Sequence, residues 1–388
     1  IINSVCIGIT MGGTVLAAQY KGAKDEHGQI EIIGTLFTVA FIAAVLVTAA
    51  GLAAYRPLFR LLHVPAPAME DACGYMKIIC YGTIFVFGYN AVCSIMKGLG
   101  DSKSPLYFVA VATVINLVLD LLLVGPFGMG TEGAACATIF SQGISFVISV
   151  FHLKRKDSVF DFRLSHFSIK TDKLAAILKV GLPTAVQMAS VNLSYLLITG
   201  MLNQFGVSVA AASGVGLKIN TFAGMPCWAI GQAVTAMAGQ NMGAGNIKRV
   251  QKTTSTGLCL NLLITLIMVL LVQIFGKQLI LLFTPASPEV LEEGILYLRI
   301  CCSVNSLVYA VMYTFDSFAI GIGSANIAMF NALLDAGIVR LPVSWLLAFP
   351  LGLGYPGIYI GQALSPFLPA AAGLLYFKSK GWKNKRIL

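Results

Sequence analysis

The chain has 388 residues, of which 57% are hydrophobic and only 11% charged, and its mean hydropathy is +0.83. A soluble domain carries about 25% charged residues, so this composition excludes a soluble globular protein, and the long apolar runs point to membrane-spanning helices rather than a β-barrel. The net charge of +10 does not mark a nucleic-acid binder, because the basic residues gather in short connections between apolar runs.

Taken in order, hydropathy predicts eleven helices, at 1–20, 30–55, 72–97, 105–124, 132–153, 174–203, 208–240, 251–275, 290–320, 324–349 and 357–377. Several are long enough to require tilt or projection beyond the hydrocarbon, and Pro183 and Pro226 should kink two of them. Eighteen of the 26 Lys and Arg fall in the connections 21–29, 97–104, 154–173 and 243–252 and in the C-terminal tail. The opposite connections hold only Arg56, Arg60 and Lys277. This bias places the C-terminus in the cytoplasm. The polar stretch 154–173 reads as a solvated basic linker. It separates an N-terminal lobe, 1–153, from a C-terminal lobe, 174–377, with a basic tail over 378–388. The nine cysteines lie mostly in apolar runs without a C-x-x-C pair, and the four histidines sit in connections or at helix ends. Neither disulfides nor a zinc site are expected.

The fourth and fifth predicted helices carry the most informative polar residues. Asp120 lies inside an apolar run with no charged neighbour, at a cost of about 2.5–3.5 kcal/mol on insertion scales. Asn116 precedes it by one turn on the same face, and Thr138 lies on the following helix. If the chain reverses near Gly128, Asp120 is about 12 Å and Thr138 about 15 Å from the turn, at roughly 1.5 Å per residue. The three oxygen-bearing side chains then share a depth, and their hard ligands suit a small cation or a proton. A polar cluster that merely locks two helices is the competing reading.

The two lobes also resemble each other. Ala18-Gln19-Tyr20-Lys21-Gly22-Ala23 aligns with Gly239-Gln240-Asn241-Met242-Gly243-Ala244, an offset of 221 residues. Leu61-Leu62-His63-Val64-Pro65 aligns with Leu281-Leu282-Phe283-Thr284-Pro285. Gly128-Met129-Gly130-Thr131-Glu132-Gly133 aligns with Gly352-Leu353-Gly354-Tyr355-Pro356-Gly357, an offset of 224. On this alignment Ile1 matches the second helix of the C-terminal lobe. The N-terminal lobe is therefore expected to lack about fifty residues, its first helix among them. The fold expected is an all-α polytopic membrane protein of two parallel-repeat six-helix lobes, twelve helices in the full protein and eleven here. Asn116 falls opposite Val339 or Arg340, and Asp120 opposite Val343 or Ser344, so the cation site belongs to the N-terminal lobe alone.

Gly128-x-Gly130-x-x-Gly133 matches a dinucleotide fingerprint but lies between two apolar runs rather than in a βαβ unit, and reads as a tight turn. Asp316 and Asp335 also stand in apolar runs, together with Arg340, as residues of a cavity or as structural ion partners. Asp335 and Arg340, five residues apart, are too far around an ideal helix to pair. G-x-S-x-G, H-E-x-x-H and Walker A motifs are absent from the sequence. An enzyme is not expected, and energy must come from an ion gradient or another subunit.

Asn116-x-x-x-Asp120, Gly133-Ala134-Ala135-x-Ala137-Thr138, Gly181-x-Pro183 and Gly239-Gln240-Asn241-x-Gly243-Ala244-Gly245 together resemble the multidrug and toxic compound extrusion (MATE) family, from its second helix onward. The resemblance implies alternating access driven by sodium ions or protons and export of amphipathic organic cations. In the DinF-like branch it implies a cation site to which Asn116, Asp120 and Thr138 correspond, completed by an Asp of the absent first helix. The NorM-like branch carries an acid after Gly-x-Pro; here Gln187 to Asn192 contain none, which favours the DinF-like branch. The resemblance therefore implies a sodium- or proton-coupled antiporter, monomeric, multi-pass in the plasma (inner) membrane, touching lipid and small-molecule substrate, with no nucleic acid and no cofactor beyond the coupling ion. A flippase for lipid-linked precursors and a non-transporting scaffold are the alternatives.

Overall fold

The computed structural model describes residues 2–61, 66–155, 160, 163, 166–283, 287–379 and 381–383. Among these there are helices and turns and no strands. The helices are α1 (Ile2–Ala23), α2 (Glu26–Leu61), α3 (Ala66–Gly98), α4 (Lys103–Val124), α5 (Gly130–Arg155), α6 (Thr171–Leu202), α7 (Val207–Gly243), α8 (Ile247–Phe283), α9 (Pro288–Cys301), α10 (Val304–Gly321), α11 (Ala325–Leu333), α12 (Leu341–Ala348), α13 (Tyr355–Leu364) and α14 (Phe367–Lys378). A π-helical segment, Leu334–Arg340, joins α11 to α12. Eight of the helical stretches are long and apolar enough to cross a membrane, or nine if the bent pair α9–α10 is one span; α1 and α7 are not among them.

The eleven predicted helices correspond to eleven stretches, three of which are interrupted. The predicted 290–320 bends by 47° between α9 and α10. A break in a membrane helix is tolerated where neighbouring groups satisfy the backbone around it. Here Gln273 Nε2 donates to the carbonyls of Leu298 (2.9 Å) and Cys302 (2.6 Å), and Asn305 Nδ2 donates to that of Cys301 (2.9 Å). The predicted 324–349 contains the π segment. The predicted 357–377 breaks between α13 and α14, where Pro366 precedes the new helix.

The chain divides into two compact units, Ile1–Gly181 and Leu182–Leu388. The division falls inside α6, just before Pro183, rather than at residue 174. The reason lies in the connection 154–173, which is not a freely solvated linker where it is described. Phe160 is buried, its ring 5.9 Å from Phe37 and 5.5 Å from Phe167. Thr35 Oγ1 donates to the Ser168 carbonyl (3.2 Å), and Lys173 Nζ donates to Tyr20 Oη (2.5 Å) and pairs with Glu31 (3.6 Å). Two phenylalanines and a lysine thus fasten the connection to α1 and α2. Residues 156–159, 161–162 and 164–165 lie outside the described set. In the tail, buried Trp382 packs against Phe318 (4.9 Å) and donates to the Phe377 carbonyl (2.9 Å). Residues 380 and 384–388 lie outside the described set.

The internal repeat is written into the geometry. The left-handed backbone positions pair off at the offsets read from the sequence: Lys24 (φ 58°) with Gly245 (70°), Gly100 (94°) with Gly323 (80°), Gly128 (61°) with Gly352 (68°), and Gly130 (54°) with Gly354 (64°). Helix contacts repeat as well. Thr14 Oγ1 donates to the Ser94 carbonyl (3.2 Å), and Thr235 Oγ1 to that of Ser317 (2.9 Å). A Cβ on Gly98 would stand 2.6 Å from the Thr14 carbonyl oxygen, and one on Gly321 2.5 Å from that of Thr235. A Cβ on Gly133 would stand 3.2 Å from the Leu123 carbonyl carbon, and one on Gly357 2.7 Å from that of Leu347. Glycine is needed at these places because two backbones approach within one side-chain radius. The repeat at 61–65 and 281–285 falls largely outside the described residues.

Candidate functional site

In the N-terminal unit, α4 turns its apolar side outward: Val114, Leu117, Val118 and Leu121 are exposed, as suits a lipid-facing helix. Its opposite stripe runs through buried Phe108 and Ala112 and continues at four-residue spacing to Asn116 and Asp120. This stripe meets α5. Ser145 Oγ donates to the Phe108 carbonyl at 3.2 Å, and Gly133 lies against Leu123. Between these two fixed points the antiparallel pair sets Thr138 opposite Asn116, with Asp120 about one turn closer to the Gly125–Gly130 reversal.

The sequence-predicted trio therefore shares one helix pair. It is not knitted into a self-satisfied cluster. Thr138 Oγ1 donates to its own-helix Ala134 carbonyl (3.0 Å), whereas Asn116 Nδ2 and Asp120 Oδ1 are buried without a hydrogen-bond partner in the protein. Turning the Asn116 amide over presents its oxygen instead. An unpaired carboxylate oxygen, an amide and a hydroxyl form a donor set suited to a hard monovalent cation or a proton, and a ligand of this kind would relieve the cost of the orphaned atoms.

In the C-terminal unit a cavity of about 390 Å³ is lined by Tyr195, Trp228, Tyr309, Arg340 and Gln362 together with apolar and amide side chains. Of Asp316, Asp335 and Arg340, only Arg340 lines it. Asp316 is buried and accepts from Asn331 Nδ2 at 2.6 Å. Asp335 is buried and pairs with Arg340 at 2.7 Å. That pairing corrects the expectation that residues five apart cannot meet. In the π segment, hydrogen bonds run to the fifth residue, so the turn is wider and positions five apart come onto one face. Pro342 supplies a reason for the segment: it lacks an N–H and its ring crowds the preceding turn, which the wider turn accommodates. Arg340 is further held by Ser194 Oγ (3.0 Å from Nη1) and Ser365 Oγ (3.4 Å from Nε), and its guanidinium lies 4.4 Å from the Tyr195 ring centre.

Gln362, Trp228 and Tyr195 were missed from sequence, because amides and aromatic residues are common in membrane helices and carry no spacing signal of their own. For Gln362 the repeat held the clue, since it lies 224 residues after Thr138.

These units, with polar side chains buried inside repeated bundles of helices long and apolar enough to cross a membrane, define a polytopic membrane protein built on an internal repeat. Comparison with known proteins agrees. The profile of the MatE family matches residues 1–122 and 183–346. Among relatives, a probable multidrug resistance protein YpnP of Bacillus subtilis is 31% identical, covering 100% of this chain and 85% of its own length. A probable multidrug resistance protein NorM of Thermotoga maritima is 27% identical, covering 100% and 84%. Among solved structures, the outward-facing conformation of a multidrug resistance MATE family transporter of the MOP superfamily superposes with a TM-score of 0.94 at 22% identity, covering 99% of this chain and 86% of that one. The chain belongs to the MatE family and is an integral membrane protein.

Proposed function

We propose that the protein is an antiporter that exports amphipathic organic compounds, organic cations among them, in exchange for sodium ions or protons bound at Asn116, Asp120 and Thr138. The observation that carries this reading is the pair of buried, unpartnered polar atoms, Asn116 Nδ2 and Asp120 Oδ1, on the helix pair that also bears Thr138. Membership of the MatE family and the multidrug resistance names of its relatives support the export of drugs. In the exchange, the cation binds from outside and is lost inside. It favours whichever conformation offers the better ligand set, and can shift the equilibrium only by its difference in affinity for the two. Asp120 supplies the charge, and Asn116 and Thr138 supply neutral oxygens.

The test is ethidium efflux from vesicles under an imposed sodium or proton gradient, comparing the unaltered protein with Asp120→Asn. We expect the gradient to accelerate efflux at least about tenfold, the worth of about 1.4 kcal/mol, and the variant to lose that acceleration. A variant that still couples efflux to the gradient contradicts the assignment of Asp120.

A further inference from the structure

We propose that the C-terminal cavity is a second ligand site, with polarity opposite to that of the α4–α5 site, and that it takes uncharged aromatic molecules bearing hydrogen-bond acceptors. The offset of 224 residues is fixed structurally on both sides of the reversal, by Gly128 and Gly130 against Gly352 and Gly354 and by the Leu123–Gly133 contact against Leu347–Gly357. Carried along α12 and α13, the same offset sets Ser344 where Asp120 stands and Gln362 where Thr138 stands, and it sets Arg340, the last residue of the π segment and the cap of α12, at the place of Asn116.

Each change removes an acceptor or adds a donor. A guanidinium replaces an amide. A hydroxyl, already donating to the Ile358 carbonyl at 3.2 Å, replaces a carboxylate. A side chain whose buried Nε2 has no partner in the protein replaces a threonine. Arg340 and Gln362 both line the cavity. A ligand that accepts a hydrogen bond from Gln362 Nε2 relieves an orphaned donor, and Arg340, which has no acceptor, stays a donor whichever way the Gln362 amide is turned.

Charge narrows the class further. Arg340 is the one Asp, Glu, Lys or Arg among the lining residues, and Asp335 neutralises it at 2.7 Å. A cation would meet a guanidinium and no carboxylate at the wall. An anion would meet a guanidinium already paired. Either would bury a charge without a counter-ion of its own, whereas an uncharged acceptor does not. The walls supply flat apolar surface: the Trp228 indole, which donates to Tyr309 Oη at 3.2 Å, and Tyr309 itself, stacked on Tyr313 at 6.0 Å.

The site is read by equilibrium quenching of Trp228 fluorescence in the reconstituted protein, taken as the component that Trp228→Phe abolishes. The probes are para-nitrobenzamide, para-nitrobenzoate and (para-nitrobenzyl)trimethylammonium, which share a ring and differ in charge. We expect saturable quenching by the amide, with Kd at least about tenfold below those of both ions. Asp335→Asn with Arg340→Gln, which removes both charges, should reduce the discrimination against the ammonium to about threefold or less. Gln362→Leu, which leaves the ion pair intact, should weaken the amide about tenfold, and it serves as the test should the double variant fail to fold. An ammonium or benzoate that binds as tightly as the amide, no saturable quenching by any probe, or an amide affinity untouched by Gln362→Leu each overturns the proposal. No gradient is applied, so failure here and failure of gradient-coupled efflux are separate results.

Discussion

At the scale of single residues, buried charge is the most legible signal in this chain. Asp120 stands out because a carboxylate in an apolar run needs a reason, and helical spacing brings Asn116 onto its face without further information. Arg340 and Asp335 stood out in the same way, but their relation was not legible, since a hydropathy pattern assumes one helical pitch and the π segment changes it. The pair has a measurable consequence. Arg340→Ala strands a carboxylate that is 1% exposed, and we expect a loss of about 3–5 kcal/mol, read as a drop in thermal unfolding temperature in detergent. Asp335→Asn combined with Arg340→Gln should recover most of it. Equal destabilisation by the single and double variants contradicts the pairing.

At the scale of elements, hydropathy locates helices because each must be apolar over a membrane's thickness. It is blind to where a helix breaks, because a break depends on which side chain takes up the freed carbonyls. Gln273 and Asn305 do so between α9 and α10, and nothing in their spacing announces it. The close helix contacts were only partly legible: glycines appeared in both lobes, but which of them face another backbone depends on packing. Gly98→Ala and Gly321→Ala should each cost about 1–3 kcal/mol through overpacking, to a similar degree because both meet a threonine carbonyl. Gly143→Ala, whose Cβ would stand 3.7 Å from Phe85, should be neutral or stabilise by up to about 1 kcal/mol. Comparison of unfolding temperatures across the three checks this, and a Gly143→Ala loss equal to the other two contradicts it.

At the scale of the molecule, the repeat was legible because three of its four pairs of left-handed turn positions carry glycine in both lobes, Lys24 opposite Gly245 being the exception. The divergence itself, which turns the acceptor set of one lobe into the donor set of the other, was hidden until contacts fixed the register to one residue. The basic connections carry an orientation that is also testable. An epitope fused after Leu388 should be reached by antibody only after the membrane is permeabilised, and labelling of intact cells contradicts that topology. The central claim, exchange of an outgoing organic compound for an incoming cation through Asp120, is tested most directly by following the cation. In vesicles with no imposed ion gradient, an ethidium gradient should drive sodium or protons in the opposite direction, at a rate at least about tenfold above that of Asp120→Asn. Ethidium movement with no counter-movement of either ion, or counter-movement that persists undiminished in the variant, contradicts it.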